Sequence, residues 1–202
     1  MTGGIGTGKT TVSHYLATAY NLPVLDADIY ARVAVERGSP LLKAIALRYG
    51  SDILLADGTL NRRQVGEIVF NSSVERRWLE QLIHPYVRDR LVEAIDELSL
   101  GNIPARTQPH PVVLVIPLLF EAEMTDLVTE IWVVSCSEQQ QLERLMQRDK
   151  LTLEQAQARI NSQLPIAEKA ALADVVLDNS TTQEALLKQV DAAIKDFSVE
   201  FS

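Results

Sequence analysis

The stretch Gly3-Gly4-Ile5-Gly6-Thr7-Gly8-Lys9-Thr10 fits the pattern G-x-x-x-x-G-K-[ST] at every fixed position. That pattern suits a loop whose backbone N–H groups wrap a polyphosphate while the next helix points its positive end at the same anion. Four of the chain's nine glycines fall within these eight residues, as expected where the backbone takes positive φ values and comes close to phosphate. In such a loop Lys9 reaches the β- and γ-phosphates, and the Thr10 hydroxyl helps to hold Mg²⁺. Val12, Leu16 and Ala19 recur on one face of the helix expected to follow. The motif points to ATP or GTP as ligand; the bland alternative is a glycine-rich turn before an ordinary helix.

A strand normally delivers the chain into such a loop, yet only Met1 and Thr2 precede Gly3. On this reading the first strand, central in the sheet, is truncated. Its neighbours are expected to have exposed edges and the loop to be anchored on one side only. The accompanying expectation is a native start several residues upstream of Met1.

At 202 residues and 47% hydrophobic content the chain suits one α/β domain, 1–202, with an inserted helical lobe. Nineteen basic against 27 acidic residues leave a net charge of −8, which excludes a general attraction for nucleic acid or anionic membranes. The single Cys136 excludes an internal disulfide and reads as a buried thiol. No apolar stretch approaches 18 residues and the N-terminus lacks a basic segment ahead of an apolar one, so the expected location is the cytoplasm.

Near-continuous apolar runs at 22–25, 112–116, 131–135 and 174–177 read as strands buried on both faces, and they alternate with helical periodicity. The expectation is a parallel sheet with helices on both faces, a three-layer α/β/α fold. Leu41, Leu42, Ile45 and Tyr49, then Val87, Leu91, Ile95 and Leu98, recur helically between the first two of these strands. That span is too long for a simple crossover, so about 38–100 reads as an inserted helical lobe, similar in place to the acceptor-binding region of small-molecule kinases with this architecture. Helices are expected at 138–149, 152–163 and 182–197, with 144–170 as a lid. Residues 101–111, with three prolines and a glycine, read as an exposed loop.

Asp26-Ala27-Asp28 stands at the carboxyl end of a strand, where ligands of open α/β sheets bind. Phosphoryl transfer to an alcohol needs a base for the hydroxyl proton and an oxygen to position Mg²⁺, and this pair can supply both. If the chain is extended there, the two side chains point the same way. Either residue could instead cap the helix that follows. The strand at 112–116 has no carboxylate at its own end, which argues against motor-type ATPases, and no Asn-Lys-x-Asp tetrad for guanine occurs. Glu121 reads as a ligand for the acceptor or a metal-bound water, or else as a solvated residue. Arg148, with Arg144 and Arg159, suits a lid that stabilises charge on the transferring phosphate and excludes water. Asn179 is placed to meet adenine or its ribose, or to make a turn. His84-Pro85 is expected to separate two helical stretches, with Pro85 at the first position of the second. Arg62 and Arg63 stay ambiguous, and Trp78 and Trp132 read as core.

Taken in order, T-G-G-I-G-T-G-K-T-T at 2–11, D-A-D-x-x-A-R at 26–32, D-G-T-L-N-R-R at 57–63, H-P-x-x-R at 84–88, I-P-L-L-F-E at 116–121, Q-L-E-R-L-M-Q-R-D at 141–149 and A-D-V-V-L-D-N at 173–179 resemble the dephospho-CoA kinase family. The resemblance spans nearly the whole chain. It implies a P-loop NTP hydrolase-like fold and an ATP- and Mg²⁺-dependent phosphotransferase acting on the ribose 3′-hydroxyl of dephospho-CoA, the last step of coenzyme A synthesis. It assigns ATP to Gly6, Thr7, Gly8, Lys9, Thr10 and Thr11, general base to Asp28, support of Mg²⁺ to Asp26 and a lid contact on ATP to Arg148, beside the motif's reading of Thr10 on Mg²⁺ and the positional reading of Asn179 on the adenosine end. His84, Arg88 and Glu121 join Asp28 on the acceptor. The expected working form is a monomer or weak homo-oligomer. The competing readings are another small-molecule or nucleotide kinase of this fold, or a nucleotide-binding module without catalysis.

Overall fold

A computed structural model describes residues 1–100 and 111–200, with side chains through residue 197. Nearly all of the loop expected at 101–111 lies outside the described residues. The chain divides into two compact units, Met1–Leu25 with Gln108–Ser202, and Asp26–Thr107. The strands are β1 (Thr2–Gly3), β2 (Val24–Asp26), β3 (Val113–Val115), β4 (Trp132–Ser135) and β5 (Val175–Asp178). The helices are α1 (Lys9–Ala19), α2 (Ala27–Ala34), α3 (Pro40–Tyr49), α4 (Arg62–Asn71), α5 (Ser73–Ser99), α6 (Glu138–Asp149), α7 (Leu153–Asn161), α8 (Ile166–Ala171) and α9 (Gln183–Glu200).

The first unit is built on the strands. β4 runs parallel to β1, with Thr2 opposite Val133 and Gly3 opposite Val134, and parallel to β5 on its other side. Met1 completes the sheet. Its amino group donates to the Leu114 carbonyl at 2.6 Å and its carbonyl accepts from the Ile116 amide at 3.0 Å, joining β1 to β3. With β2 beside β3, the order becomes β2-β3-β1-β4-β5. The first strand is two residues long and lies in the middle of the sheet, bonded on both sides, which corrects the expectation that its neighbours' edges are exposed and the loop is anchored on one side only. Burial lowers the Met1 amino group to about 5.

Val133 and Val134 are wholly buried, as the continuous apolar run requires. Val12 and Leu16 of α1 meet Leu186 and Val190 of α9 in the same core, with Trp132 and Leu177. Each such side chain contributes about 1.5–3 kcal/mol on full burial. Tyr15 and Tyr20 both donate to Asp191 Oδ1 at 2.7 Å, fastening α1 to α9. The bond to Asp191 pushes the Tyr20 hydroxyl up to about 12, and the two tyrosines hold Asp191 below the usual carboxylate range.

The second unit is helical, with Ala34, Leu42, Ile45, Ile53 and Val65 in its core. Its long helix, α5, packs on α2 and α4 and buries Val87 and Leu91. Here the expected break at His84-Pro85 is overturned, because α5 runs unbroken for 27 residues with Pro85 inside it. The proline removes one i→i−4 bond, at a cost of about 3 kcal/mol that the flanking packing outweighs. Ser72 caps this helix through the Glu75 amide. Glu75 in turn accepts from Arg48 Nε at 2.7 Å, from a second Arg48 nitrogen at 2.9 Å and from Tyr49 Oη at 2.6 Å. The Arg48 guanidinium also lies 4.4 Å above the Trp78 ring.

Arg48, and after it Tyr49, hold the Glu75 carboxyl at about 2, against about 4.3 in an unfolded chain. A carboxylate depressed on folding stabilises fully above its unfolded value, and that contribution is lost as pH falls towards 2. Glu75→Gln is therefore expected to melt below the wild type at pH 7, with the gap narrowing steadily between pH 5 and pH 3. A gap independent of pH in thermal melts would contradict this account of the pair.

Candidate active site

β1 ends at Gly3 and the chain turns at once into the loop before α1. Gly3 has φ 147 and Gly8 has φ 102. A Cβ on Gly3 would run into the Val134 carbonyl, and one on Gly8 into the Asn179 amide group. Gly8 is also the N-cap of α1 and offers no side-chain oxygen. By contrast Asp26, Ser39, Asn61, Ser72, Ser137 and Thr152 each cap their own helix with a side chain. The positive end of α1 is thus left to an external acceptor.

The loop's carbonyl oxygens are held by side chains. Lys9 Nζ donates to Gly3 at 3.0 Å and Gly4 at 2.8 Å, and Thr7 Oγ1 also donates to Gly4 at 2.9 Å. Arg144 donates to Gly6 at 3.1 Å and Asn179 Nδ2 donates to Thr7 at 2.8 Å. Arg144 donates as well to the Asn179 carbonyl at 3.0 Å, so loop, α6 and the end of β5 form one network. Thr7 is wholly buried, and Gln141 of α6 is almost so, packed against Gly4. On the other flank the Ile5 amide donates to Gln163 Oε1 at 2.8 Å. Beside α1 an open cleft of about 330 Å³ is lined by Thr10, Thr11, His14, Gln183 and Leu187 among others.

Of the residues singled out from sequence, Gly6 to Thr11 and Asn179 therefore come together in the first unit. Arg144 joins them as a bond to the loop backbone. Arg148, at the end of α6, grips Asp149 with Nε at 2.7 Å and a second nitrogen at 3.0 Å, while Arg159 reaches the same carboxylate at 2.9 Å. Arg148, and secondarily Arg159, hold Asp149 below its usual range. Glu121 Oε1 accepts from the Leu164 amide at 2.9 Å and pairs with Lys169 Nζ at 2.9 Å.

Asp26, Asp28, His84 and Arg88 belong to the second unit. The chain is not extended through Asp28, and the capping alternative holds for Asp26. The helix α2 begins at Ala27, Asp26 Oδ1 caps it by accepting from the Asp28 amide at 2.8 Å, and Asp28 stands exposed in its first turn. Capping of this kind contributes about 1 kcal/mol and sets where Asp28 stands. His84 and Arg88 are four apart on α5 and share a face of it. Gln141, Gln163 and Lys169 escaped the sequence reading. Only Gln141 carried a signal, four residues before the buried Leu145 on the same helix face.

A loop of this sequence, closing the middle strand of a β2-β3-β1-β4-β5 sheet and opening onto an uncapped helix, defines a P-loop nucleotide-binding protein. The dephospho-CoA kinase family pattern matches residues 1–184. A dephospho-CoA kinase of Trichormus variabilis is 66% identical over 194 residues, covering 96% of this chain and 94% of that one. One from Synechocystis is 57% identical over 180 residues, covering 89% and 86%. The solved dephospho-CoA kinase of Campylobacter jejuni superposes with a TM-score of 0.68 at 28% identity, covering 98% of this chain and 96% of its own. The chain belongs to the dephospho-CoA kinase family.

The geometry at Gly8 yields a direct test. Gly8→Ala combines a left-handed backbone costing about 1–2 kcal/mol for other residues with displacement of Asn179, so affinity for a non-hydrolysable ATP analogue should fall about tenfold or more. Calorimetric titration measures this, and wild-type affinity in a folded Gly8→Ala protein would refute the role given to this glycine.

Proposed function

We propose that the chain transfers the γ-phosphoryl group of ATP to the ribose 3′-hydroxyl of dephospho-CoA, yielding coenzyme A and ADP. The observation that carries this is the coincidence of a complete phosphate loop with family membership along residues 1–184. Lys9 exchanges its bonds to the neutral Gly3 and Gly4 carbonyls for stronger, charge-assisted bonds to the β- and γ-phosphates. The N–H groups of Gly6 to Thr11 cradle those phosphates, and Asn179 with the cleft beside Thr11 takes the adenosine end.

In the transfer, the acceptor 3′-oxygen bonds to the γ-phosphorus, the bond from that phosphorus to the β-phosphate oxygen breaks, and ADP leaves. Asp28 accepts the hydroxyl proton as general base. Thr10 and Asp26 are hard oxygen donors of the kind that suits Mg²⁺ held mainly by substrate phosphates, and Asp26 combines this with capping α2. When bound, Mg²⁺ neutralises charge on the β- and γ-oxygens. Arg148, oriented by Asp149, adds charge stabilisation from the lid at about 144–170. The helical lobe at about 38–100 receives the acceptor through His84 and Arg88. Glu121, whose Oε1 is engaged by Leu164 and Lys169, meets the acceptor through Oε2. The protein acts in the cytoplasm, as a monomer or weak homo-oligomer.

Incubation with Mg·ATP and dephospho-CoA should give a product carrying a new 3′-phosphate by ³¹P NMR, with little ADP released on other nucleosides or alcohols. A strong preference for another acceptor would overturn the assignment. Asp28→Asn should keep nucleotide affinity within a few-fold while lowering turnover by about 10²–10⁴. Unchanged turnover would return Asp28 to a structural role. Lys9→Ala should weaken nucleotide binding and turnover together.

A further inference from the structure

Lys169 is among the largest side chains that the fold buries completely. It lies on α8, pairs with Glu121 Oε1 at 2.9 Å and donates to the Pro117 carbonyl at 3.0 Å. An ion pair in which only the lysine is fully buried is weak evidence of a stability role, because apolar side chains often serve the fold as well or better. What the pair supplies that an apolar side chain cannot is direction.

Two connections lead from it into the phosphate loop. The Pro117 carbonyl that Lys169 engages also accepts from Thr2 Oγ1 at 3.2 Å, on β1 where the loop begins. The Glu121 oxygen that Lys169 engages also accepts from the Leu164 amide. The preceding residue, Gln163, accepts from the Ile5 amide within the loop at 2.8 Å. A single ammonium thus fixes the segment between α7 and α8 at the point where it grips the loop. The bonds from Lys169 to Pro117, from Thr2 to Pro117 and from Ile5 to Gln163 are partly buried, whereas the Leu164–Glu121 bond is exposed.

We propose that Lys169 is a positioning residue of the nucleotide site: its ion pair with Glu121 sets Gln163 against the Ile5 amide and so holds the phosphate loop in its binding shape. The proposal rests on the reading of that loop as the ATP site, and it is independent of which acceptor the enzyme takes. Lys169 itself touches no substrate. Its effect passes through Gln163, and that distinguishes it from a residue that merely keeps α8 folded.

The test is a double-mutant cycle read as the dissociation constant of a non-hydrolysable ATP analogue, with thermal melting to establish folding at the assay temperature. Gln163→Ala should weaken binding about fivefold, the size expected for one hydrogen bond, and Lys169→Met by at least as much. The double variant Gln163→Ala/Lys169→Met should bind no more weakly than Lys169→Met alone, because both changes remove the same contact. Where Lys169→Met does not fold, Lys169→Met/Glu121→Gln removes both charges together and leaves no unpaired carboxylate; it should show the same weakening. Wild-type affinity in either folded Lys169 variant overturns the proposal. So does a double variant in which the two losses multiply, since Lys169 would then act by another route.

Discussion

A loop that binds phosphate through its backbone must be held in shape by atoms that the phosphate does not use. In this chain the carbonyl oxygens of Gly3, Gly4, Gly6 and Thr7 are all engaged by side chains, from Lys9, Thr7, Arg144 and Asn179. With the carbonyl dipoles tied back in this way, the loop's amides and the end of α1 present one sign of charge to an anion. Preorganisation of this kind matters because donors already in position need not be reorganised when ligand or transition-state charge arrives. Lys9 is the one member of the set that exchanges its partners in the proposed reaction.

The rest of the first unit serves that arrangement. β1 supplies only two residues, yet it is bonded to β4 by its own ladder and to β3 through Met1, so the loop leaves the sheet from a point fixed on both sides. α1 is kept in line by its burial against α9 and by the two tyrosine bonds to Asp191. Gln141 fills the space beside Gly4, a place a larger residue than glycine at position 4 would take from it. In the helical unit Asp26 caps the start of α2 and Asp28 stands exposed in its first turn. The two aspartates are thus differentiated by local structure, not by residue type.

The phosphate loop, the strands after 110 and α6 were legible because each rests on a local pattern: a fixed glycine spacing, an apolar run, a helical pattern from 138. The helix expected at 138–149 has those bounds in the structure, and Cys136 is buried as its apolar run implied. The order of motifs was enough to indicate the family. What escaped the reading depends on tertiary context. Two residues of β1 show no periodicity, and their bonding partners lie more than a hundred positions away. Pro85 signals a break by its own chemistry, but Val87 and Leu91 pack too well for the helix to stop there. The helix α2 begins at Ala27, so Asp26 and Asp28 do not share an extended chain. Gln163 and Lys169 are long polar residues on or beside helices, and such residues read as solvated until a carboxylate such as Glu121 from a distant segment is seen to meet them.

This arrangement implies that the loop is assembled by the protein before nucleotide arrives. Its most direct test is hydrogen exchange of the Ile5 amide, followed by NMR in the nucleotide-free protein. Because that amide donates to Gln163, it should exchange slowly, on the scale of the α1 amides such as Val12, and change little when an ATP analogue is added. Exchange at the rate of an unprotected amide, slowing only once the analogue binds, would mean that the ligand builds the loop and would contradict the account.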